Sequence, residues 1–316
     1  MSEMCGICGF TWEDKELLQR MMDAVLHRGP DDSGKFSFGE CSLGHRRLSI
    51  IDLSPKGRQP MSNEDGSVWV TFNGEIFNWQ DLRKDLEKKK HKFSSDSDTE
   101  VIVHGYEEYG LSIFSMLNGH FGIGIWDSVN KRLVLARDRL GIKPVYYAKR
   151  KDGNIIFASE IKAILESGIH REVDPKALHD FLSFRCVSIE NTMFRSIKKL
   201  LPGHYLVKED DNIRTTKYWD IAPKKPDIHP EAYFSEHLRK SLEKSVKMRL
   251  MSDVPIGAYL SGGIDSGTVV GLMAQFMDEP VKTFSVGFGL KEHEDELRKA
   301  QLVADHFETD HKEIIV

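Results

Sequence analysis

The sequence predicts an α+β sandwich followed by an α/β region with a parallel sheet, and three observations predict this. Residues 5–219 carry many short strand-like stretches with helical stretches between them, which favours two packed, mainly antiparallel sheets covered by helices. Residues 220–230 hold three prolines and several charges, as a linker does. Residues 231–316 alternate strands with longer helices, the order of a parallel sheet.

Composition and charge limit the classes of function. The chain has 316 residues, of which 40% are hydrophobic and 29% charged, enough for about two globular domains. Its formal net charge of −5 offers no basic surface for nucleic acid. No apolar run approaches the roughly 18 residues of a membrane span, and the four cysteines lack a disulfide-type spacing. We therefore expect a cytoplasmic protein without a nucleic-acid or membrane partner.

The periodicity of apolar residues gives the order of elements in the first region. Strands are expected at residues 4–10, 43–52, 67–72, 121–126, 132–136, 145–148 and 155–159. Helices are expected at residues 15–26, 80–90, 97–109 and 174–184. Ser97 and Glu100 have the spacing of a capping box, which would open the third of these helices and put Asp98 at its N-terminus.

The second region begins with a long helix, on which Phe234, Leu238, Leu242, Val246 and Leu250 recur every four residues. The expected elements after it are a strand at 255–260, a helix at 267–276, a strand at 281–288, a helix at 294–307 and a strand at 312–316.

Cys5 is a candidate nucleophile. If it becomes the N-terminal residue, its α-amine, with a pKa near ~7.7–8.0, can take the proton of its own thiol. The thiolate is then the attacking group. Two other interpretations stay open: a buried strand cysteine, and a redox or zinc pair with Cys8.

Polar groups that could bind a substrate lie at the end of one predicted strand and within another. Asn73, Gly74 and Glu75 bring an amide donor, a backbone N–H and a carboxylate to the end of one strand, although Asn-Gly is also a strong signal for a hairpin turn. Arg47 lies within the strand expected at 43–52, which would deliver its guanidinium to a buried place. Asp98 would complement a helix dipole or hold a substrate cation.

Two stretches have the spacing of phosphate loops. Residues 29–35 match G-x-x-x-x-G-K, but Phe36 stands where a magnesium-binding hydroxyl belongs, so we discount them. Residues 261–266, Ser-Gly-Gly-Ile-Asp-Ser, lie between a predicted parallel strand and a helix. Converging N–H groups and hydroxyls there suit phosphates, Asp265 suits magnesium, and the missing lysine favours adenylation over transfer of a terminal phosphate.

Taken together, these motifs resemble one family, the glutamine-hydrolysing asparagine synthetases. These are class II amidotransferases in which an N-terminal-nucleophile domain precedes an ATP-pyrophosphatase domain. The resemblance runs from Met4 to the last residue. The motifs that carry it are Met4-Cys5-Gly6-Ile7, His27-Arg28-Gly29-Pro30-Asp31, Arg47-Leu48-Ser49-Ile50, Asn73-Gly74-Glu75-Ile76, Ser97-Asp98-Thr99-Glu100, Ala136-Arg137-Asp138-Arg139-Leu140-Gly141 and residues 261–266.

The resemblance implies an α-β-β-α glutaminase domain at residues 5–219, a linker at 220–230 and the first part of a synthetase domain at 231–316. Cys5 would attack glutamine, and Asn73 and Gly74 would hold the oxyanion. The glutamine-binding residues would be Arg47, Leu48, Ile50, Glu75 and Asp98. The ATP-binding residues would be Leu260, Ser261, Gly262, Gly263, Asp265, Ser266 and Val286, with Mg²⁺ on Asp265.

The implied reaction is ATP-dependent synthesis of asparagine from aspartate, with ammonia that passes from the glutaminase site through an internal tunnel. The partners would be glutamine, aspartate and ATP, and family members are often dimers, which makes a homodimer an expectation. A related enzyme that amidates another carboxylate is an alternative. A glutaminase or nucleotide-binding protein without ligase activity is another.

The chain departs from the family pattern in two places. Met1-Ser2-Glu3-Met4 precedes Cys5, whereas the family begins Met-Cys, and an acylated Cys5 nitrogen is no base. Either the chain starts at Met4 and loses it, which we expect, or the leader is cleaved. The family's synthetase domain continues further, with a second acidic loop and a catalytic lysine. We therefore expect a C-terminally truncated synthetase, whose ligase activity is an open question.

Overall fold

The computed structural model describes residues 4–187, 189–222, 228–287 and 291–316. The expected leader at residues 1–3, residues 223–227 of the expected linker and residue 288 of an expected strand lie outside the described residues. The chain divides into two compact units, residues 1–222 and residues 223–316.

The first sheet of the first unit surrounds the strand that follows Cys5. Its strands are β1 (Gly6–Phe10), β2 (Asp32–Phe38), β3 (Cys41–Arg47), β8 (Tyr146–Lys149), β9 (Ile155–Ala158) and β10 (Lys198–Lys199). They lie in the order β10-β8-β9-β1-β3-β2, and each neighbouring pair is antiparallel. Strand β1 is therefore central, which fixes the position of Cys5 at its N-terminal end.

The second sheet carries Asn73 and Gly74. Its strands are β4 (Met61–Ser62), β5 (Val68–Ile76), β6 (Gly119–Asp127), β7 (Arg132–Arg137), β11 (His204–Glu209) and β12 (Asn212–Lys217). They lie in the order β12-β11-β7-β6-β5-β4, again with antiparallel pairs. Asn73 pairs with Gly122 and Gly74 with Phe121, so the Asn-Gly pair is inside a strand and not in a hairpin turn.

Helices cover the outer faces of the two sheets. The helices of this unit are α1 (Lys15–Ala24), α2 (Trp79–Lys88), α3 (Glu100–Tyr109), α4 (Ile113–Met116), α5 (Ile161–Leu165) and α6 (Pro175–Phe184). Helices α1 and α5 share a core with the first sheet, and α2, α3 and α4 share one with the second. Ile7 and Phe157 from the first sheet meet Leu135 from the second in a core between the sheets. The expected α-β-β-α sandwich is confirmed.

Adjacent strand residues alternate between these cores, as a pleated strand requires. Ile7 enters the core between the sheets, and Cys8 enters the core under α1. Cys8 lies in this core, Cys5 lines a pocket outside it, and both thiols are free, so the structure does not pair them for redox or zinc chemistry.

Two local expectations were wrong in this unit. Helix α3 begins at Glu100, not at residue 97, and the Glu100 carboxylate accepts bonds from the N–H groups of Ser94 and Ser95, so no capping box forms. Strand β2 and the β11–β12 hairpin were not expected. Residues 29–35 lead into β2 and open no helix, which agrees with discounting them as a phosphate loop.

The second unit is built around a three-stranded parallel sheet with helices packed on it. Its elements are α7 (Glu231–Arg249), β13 (Gly257–Tyr259), α8 (Ile264–Phe276), β14 (Lys282–Gly287), α9 (Lys291–His306) and β15 (Asp310–Ile315). The strands lie in the order β13-β14-β15 and both pairs are parallel, as expected. Val246 of α7 packs with Leu272 and Met273 of α8, whereas Ala300 and Ala304 of α9 pack with Val270 on another face of α8.

Among the residues that the structure describes, the helices are too short or too polar to cross a lipid bilayer.

Candidate active site

A narrow pocket in the first unit brings together residues from both sheets and from the loops that join them. It is lined by Met4, Cys5, Arg47, Leu48, Ile50, Ile51, Gly57, Gln59, Phe72, Asn73, Gly74, Glu75, Ser97, Asp98, Thr99 and Lys143. Every residue that the sequence nominated for glutamine is in this set.

Cys5 lies at the pocket just before β1. Its Sγ donates to the Leu48 carbonyl oxygen at 3.6 Å and accepts from the Leu48 N–H at 3.4 Å. Burial raises the pKa of the Cys5 thiol, whereas the Leu48 contact and the cations of Arg47 and Lys143 lower it. Since burial dominates, the free thiol needs a base to become a good nucleophile.

The neighbourhood of Cys5 is held by Arg28. The Arg28 Nε donates to the Cys5 carbonyl oxygen at 2.9 Å, and its Nη1 donates to Glu160 Oε1 at 2.9 Å. Arg28 is 6% exposed, so this ion pair lies largely away from water. The motif at residues 27–31 thus positions the nucleophile and does not itself line the pocket.

Asn73 presents a buried amide donor to the pocket. The side chain is 1% exposed, and among the described residues its Nδ2 finds no hydrogen-bond partner. A buried donor without a partner costs about 1–3 kcal/mol, so a ligand that accepts from it gains affinity. The same pocket contains the Cys5 thiol, and this arrangement suits an anionic oxygen formed next to the sulfur.

Gly74 is required by the close approach of the neighbouring strand. A Cβ on Gly74 would lie 1.9 Å from the His120 carbonyl oxygen and 2.8 Å from the Phe121 Cα. Any side chain would therefore push β6 away from β5. The glycine keeps the backbone beside Asn73 in the pocket wall.

Arg47 holds the loop that closes one side of the pocket. Its Nη1 donates to the Ser54 carbonyl oxygen at 3.0 Å, and its Nη2 donates to the carbonyl oxygens of Ile51, at 3.2 Å, and Asp52. A Cβ on Gly57 would lie 2.2 Å from Nη2, so this glycine makes room for the guanidinium. Arg47 thus lines the pocket and also shapes the loop that carries Leu48 and Ile50.

Asp98 is a buried carboxyl group in the pocket wall. It is 5% exposed, and its Oδ2 accepts from the Ile76 N–H at 2.8 Å. Burial first, and then the negative charge of Glu75, raise the pKa of Asp98 to about 7. A cation placed between Asp98 and Glu75 would stabilise the ionised form of Asp98 and offset the repulsion between the two carboxylates. This corner is therefore suitable for an ammonium group.

Eight of the pocket residues were not nominated from the sequence, and Gln59 and Lys143 are two of them. Gln59 donates through Nε2 to Thr99 Oγ1 at 3.1 Å and accepts from the Phe72 N–H at 2.7 Å, and so joins two walls. Lys143 carries a partly buried ammonium whose pKa is lowered, chiefly by loss of solvent. Neither lies in a motif with a chemical signature, and no local signal marks them.

The motif at residues 136–141 has a structural role, which is to fold the loop that places Lys143 at the pocket. Asp138 is 1% exposed and accepts from the N–H groups of Leu140, Ile142 and Lys143 at 2.9–3.1 Å. Arg137 donates to the carbonyl oxygens of Lys143 and Gly141. These bonds fold the segment into a tight loop that presents Lys143 to the pocket.

A second cavity, of about 320 Å³, lies in the second unit beyond the carboxyl ends of β13 and β14. It is lined by Tyr259, Leu260, Ser261, Ser266, Phe284, Ser285, Val286, Glu296 and Leu297. Four of the seven residues nominated for ATP line it, namely Leu260, Ser261, Ser266 and Val286. Gly262, Gly263 and Asp265 do not line the cavity itself and lie in the adjacent loop and first helical turn.

The start of α8 is suited to an anion. Gly263 is the N-cap and supplies no side-chain cap, so the first N–H groups of a 13-residue helix point outward. The Ser261 and Ser266 hydroxyls lie 3.1 Å apart at this end. Gly262 has φ +69°, and a Cβ there would lie 2.5 Å from the Lys299 Cβ, so only glycine fits the turn. The exposed Asp265 carboxylate and the two hydroxyls are oxygen donors of the kind that Mg²⁺ prefers.

Comparison with protein families assigns both units. The family described as "Glutamine amidotransferase domain" matches residues 4–219. The family described as "Asparagine synthase" matches residues 237–316.

Curated relatives resemble the chain over most of its length. It is 39% identical over 293 residues to "Asparagine synthetase [glutamine-hydrolyzing] 1" of Bacillus subtilis, which covers 90% of this chain and 46% of the relative. It is 40% identical over 269 residues to "Amidase chyE" of Penicillium rubens, covering 84% of this chain and 39% of the relative. The chain thus spans less than half the length of these two relatives.

A solved structure shares the fold. It is a glutamine phosphoribosylpyrophosphate amidotransferase from B. subtilis, with a TM-score of 0.52 and 16% sequence identity, covering 98% of this chain and 65% of that chain. At this identity the likeness supports the architecture alone.

Proposed function

The chain belongs to the family of glutamine amidotransferase domains and is similar to glutamine-hydrolysing asparagine synthetases. On this basis we propose that its first unit releases ammonia from glutamine. The observation that carries the proposal is the unpartnered Asn73 Nδ2, which shares a pocket with the Cys5 thiol. An enzyme that forms an oxyanion beside a sulfur needs such a donor.

Glutamine would bind with its two ends in different corners of the pocket. Its α-ammonium would lie between Asp98 and Glu75, where burial and the neighbouring carboxylate raise the pKa of Asp98 and a positive charge would be stabilising. Its α-carboxylate would meet Arg47 and the backbone of the loop carrying Leu48 and Ile50. The side-chain amide then extends toward Cys5.

The reaction proposed here has two steps. The Cys5 sulfur attacks the amide carbon, the α-amine of Cys5 takes the thiol proton, and Asn73 Nδ2 and Gly74 N–H hold the oxyanion. The amine passes this proton to the leaving nitrogen, which departs as ammonia and leaves a thioester on Cys5. Water then adds to the thioester, releases glutamate and restores the thiol.

This mechanism requires a free α-amine on Cys5, so we propose that the active form begins at Cys5. With Met4 attached, the Cys5 nitrogen is an amide and no base. The Met4 side chain also fills part of the pocket, where its sulfur lies 3.0 Å from Lys143 Nζ. Removal of Met4 would therefore free both the base and space beside Lys143.

We propose further that the second unit binds ATP and takes part in the amidation of aspartate with this ammonia, as the name of the Bacillus relative suggests. The open N-terminus of α8 would hold the phosphates, with Leu260 and Val286 beside the base. Asp265 would hold Mg²⁺, which neutralises the charge of the departing pyrophosphate. The domain bounds 5–219, 220–230 and 231–316, the homodimer and the cytoplasmic location stay predictions.

One observation favours an acceptor of the ammonia other than aspartate. The chain is 40% identical to a relative that is not named as an asparagine synthetase and 39% identical to one that is, so the likeness alone does not set the acceptor. The second proposal is therefore amidation of another carboxylate.

The test has two parts. Chain that begins at Cys5 should convert glutamine to glutamate, and the Cys5→Ala variant should not; equal rates would overturn the glutaminase proposal. Pyrophosphate release from ATP with ammonia is then measured for aspartate and for other small carboxylic acids. Release with aspartate alone supports asparagine synthesis, whereas release only with another acid supports the second proposal. Glutaminase activity without pyrophosphate release would contradict both ligase proposals for this chain.

A further inference from the structure

Two histidines and a glutamate come together in the helical layer over the second sheet. His91 follows α2, and His104 and Glu107 lie one turn apart on α3. One ligand atom from each of the three lies within 4.8 Å of the other two. None of them lines the pocket of Cys5, so the glutaminase mechanism has no use for this cluster.

The distances between the inner atoms suit a tetrahedral metal site. Glu107 Oε2 lies 2.9 Å from His104 Nδ1 and 3.8 Å from His91 Nδ1. Glu64 Oε2, from the turn between β4 and β5, lies 3.8 Å from His104 Nδ1. With Zn–N bonds of ~2.0–2.1 Å, ligand atoms of a tetrahedral site are about 3.3 Å apart. His91, His104 and Glu107 need only small side-chain movements to reach that spacing, whereas Glu64, which is outside this set of three, has to swing toward them.

Each inner ligand has a partner behind it. His91 Nε2 lies 3.3 Å from Glu108 Oε2, and His104 Nε2 lies 3.7 Å from Glu100 Oε1. Asn63 Nδ2 donates to the outer oxygen of Glu107, Oε1, at 2.8 Å. Histidines that bind metals usually give their second ring nitrogen to a carboxylate, which fixes the ring and strengthens the ligand. His91 has this arrangement, whereas the contact between His104 Nε2 and Glu100 is longer than a hydrogen bond.

Burial and charge also favour a cation at this place. His104 is 1% exposed, and its Nδ1 lies 2.9 Å from Glu107 Oε2. Four carboxylates, those of Glu64, Glu100, Glu107 and Glu108, surround the two imidazoles. Lys89 supplies one positive charge, to Glu108, at 2.9 Å. A divalent ion would offset two of the three remaining negative charges beside the histidine rings.

We propose that His91, His104, Glu107 and Glu64 bind a zinc ion. Two imidazole nitrogens select zinc over magnesium or calcium, which prefer oxygen ligands. The ion would tie the β4–β5 turn to the end of α2 and to the middle of α3. Its role is structural, because all four coordination positions are filled by protein.

The test uses Co²⁺ and Zn²⁺ on the full chain after treatment with a chelator. Tetrahedral Co²⁺ with nitrogen ligands should give a visible absorption band, and Zn²⁺ should abolish it by displacement. His91 is partly exposed, so His91→Gln should fold; circular dichroism checks this. It should weaken Zn²⁺ binding by more than about 100-fold, and Glu108→Gln, behind His91, by about 10- to 100-fold.

The matched control is His170→Gln, which changes an exposed histidine paired with Glu172 outside the cluster. It should bind the metal as the unaltered chain does. No cobalt band in the unaltered chain would overturn the proposal and leave the cluster as a network of ion pairs. Equal Zn²⁺ affinity in folded His91→Gln and in the unaltered chain would overturn it as well.

Discussion

The sulfur of Cys5 makes two contacts with the backbone of Leu48, one as donor to its carbonyl oxygen at 3.6 Å and one as acceptor from its N–H at 3.4 Å. The acceptor contact stabilises a thiolate, and the donor contact orients the thiol before it ionises. Leu48 follows directly on Arg47, the last residue of β3, and β3 pairs with β1. The pairing of two central strands therefore sets the position of the nucleophile.

Replacing Asn73 by alanine should slow the release of glutamate from glutamine. The variant lacks the buried Nδ2 that we assign to the oxyanion, so kcat should fall by roughly 10²–10³-fold with little change in KM. Steady-state kinetics of glutamate formation measure both constants. The control is Asn130→Ala at an exposed turn, which should keep nearly full activity. An Asn73→Ala enzyme as fast as this control would refute the assignment.

Asp98 should make the free energy of unfolding depend on pH in the ligand-free protein. Its folded pKa of about 7 lies above the usual value of 3.8, so the folded state holds the proton more tightly than the unfolded state. Stability from this group is complete below pH ~4 and is lost as pH rises toward about 7, by up to about 4 kcal/mol. Denaturant titrations at several pH values measure this. Asp98→Asn should remove this part of the slope; an unchanged slope contradicts the buried-carboxyl account.

Binding of glutamine should show the opposite pH dependence. The ionised form of Asp98 pairs with the α-ammonium, so affinity should rise as pH increases through about 7. Isothermal titration of a Cys5→Ala chain with glutamine isolates binding from catalysis. In this background Asp98→Asn should weaken binding by roughly 10- to 100-fold and flatten the pH profile. A steep profile that survives the substitution would assign the titration to another group.

Lys143 should raise the reactivity of the Cys5 thiol. Its positive charge lowers the pKa of Cys5, so Lys143→Met should reduce the thiolate fraction at neutral pH. We expect Cys5 to react with iodoacetamide roughly two- to tenfold more slowly, as followed by mass spectrometry of the peptide that carries it. Lys35→Met, at an exposed position of β2, is the control and should have no effect.

Gly74 should tolerate no side chain. The Cβ of Gly74→Ala would collide with the His120 carbonyl oxygen and separate β5 from β6, so the free energy of unfolding should fall by about 3 kcal/mol or more. Gly39→Ala is the comparison, because its φ is +59° and a Cβ added there would have no atom within 4 Å. Its cost should be only about 1–2 kcal/mol. If Gly74→Ala and Gly39→Ala lost the same free energy of unfolding, β6 would have moved to accommodate the added Cβ, which contradicts the prediction.

Gly262 should be needed for ATP binding and not for glutamine hydrolysis. An alanine there meets Lys299 and Ala300 at φ +69°, which displaces the loop before α8. We expect ATP binding, measured by titration calorimetry, to weaken by roughly tenfold or more. Gly267→Ala, inside α8 with contacts no closer than 3.7 Å, should leave affinity unchanged. Loss of glutaminase activity in Gly262→Ala would contradict the separation of the two functions.

The sequence predicted the sandwich and the parallel sheet well, because both depend on apolar periodicity. At Asn73 and Gly74 the alternative of a hairpin turn was wrong, because pairing with β6 continues the strand to Ile76. The prediction was also wrong at Ser97, because Glu100 bonds to the N–H groups of Ser94 and Ser95 in place of a cap. In each case a contact with chain outside the local pattern decided the structure.

The pocket residues also divide into those that the sequence could identify and those that it could not. Cys5 and Asp98 are found from motifs, since their chemistry is visible in the residue type. Gln59 and Lys143 reach the pocket only through loops held by tertiary hydrogen bonds, such as those to Asp138. Strand β2 was missed because Asp32, Ser33 and Gly34 have low strand propensity, and its pairing with β3 overrides this.

The most direct test of the central claim is mass spectrometry of the chain after reaction with a diazoketone analogue of glutamine, which alkylates the nucleophile in place of the amide step. Our account predicts one adduct, on Cys5, in molecules whose chain begins at Cys5, and no adduct when excess glutamine is present. Cys8 and Cys41 are buried, and Cys186 lies outside the pocket, so all three should stay unlabelled. Labelling that glutamine does not prevent, or an adduct on another residue, would contradict Cys5 as the catalytic nucleophile.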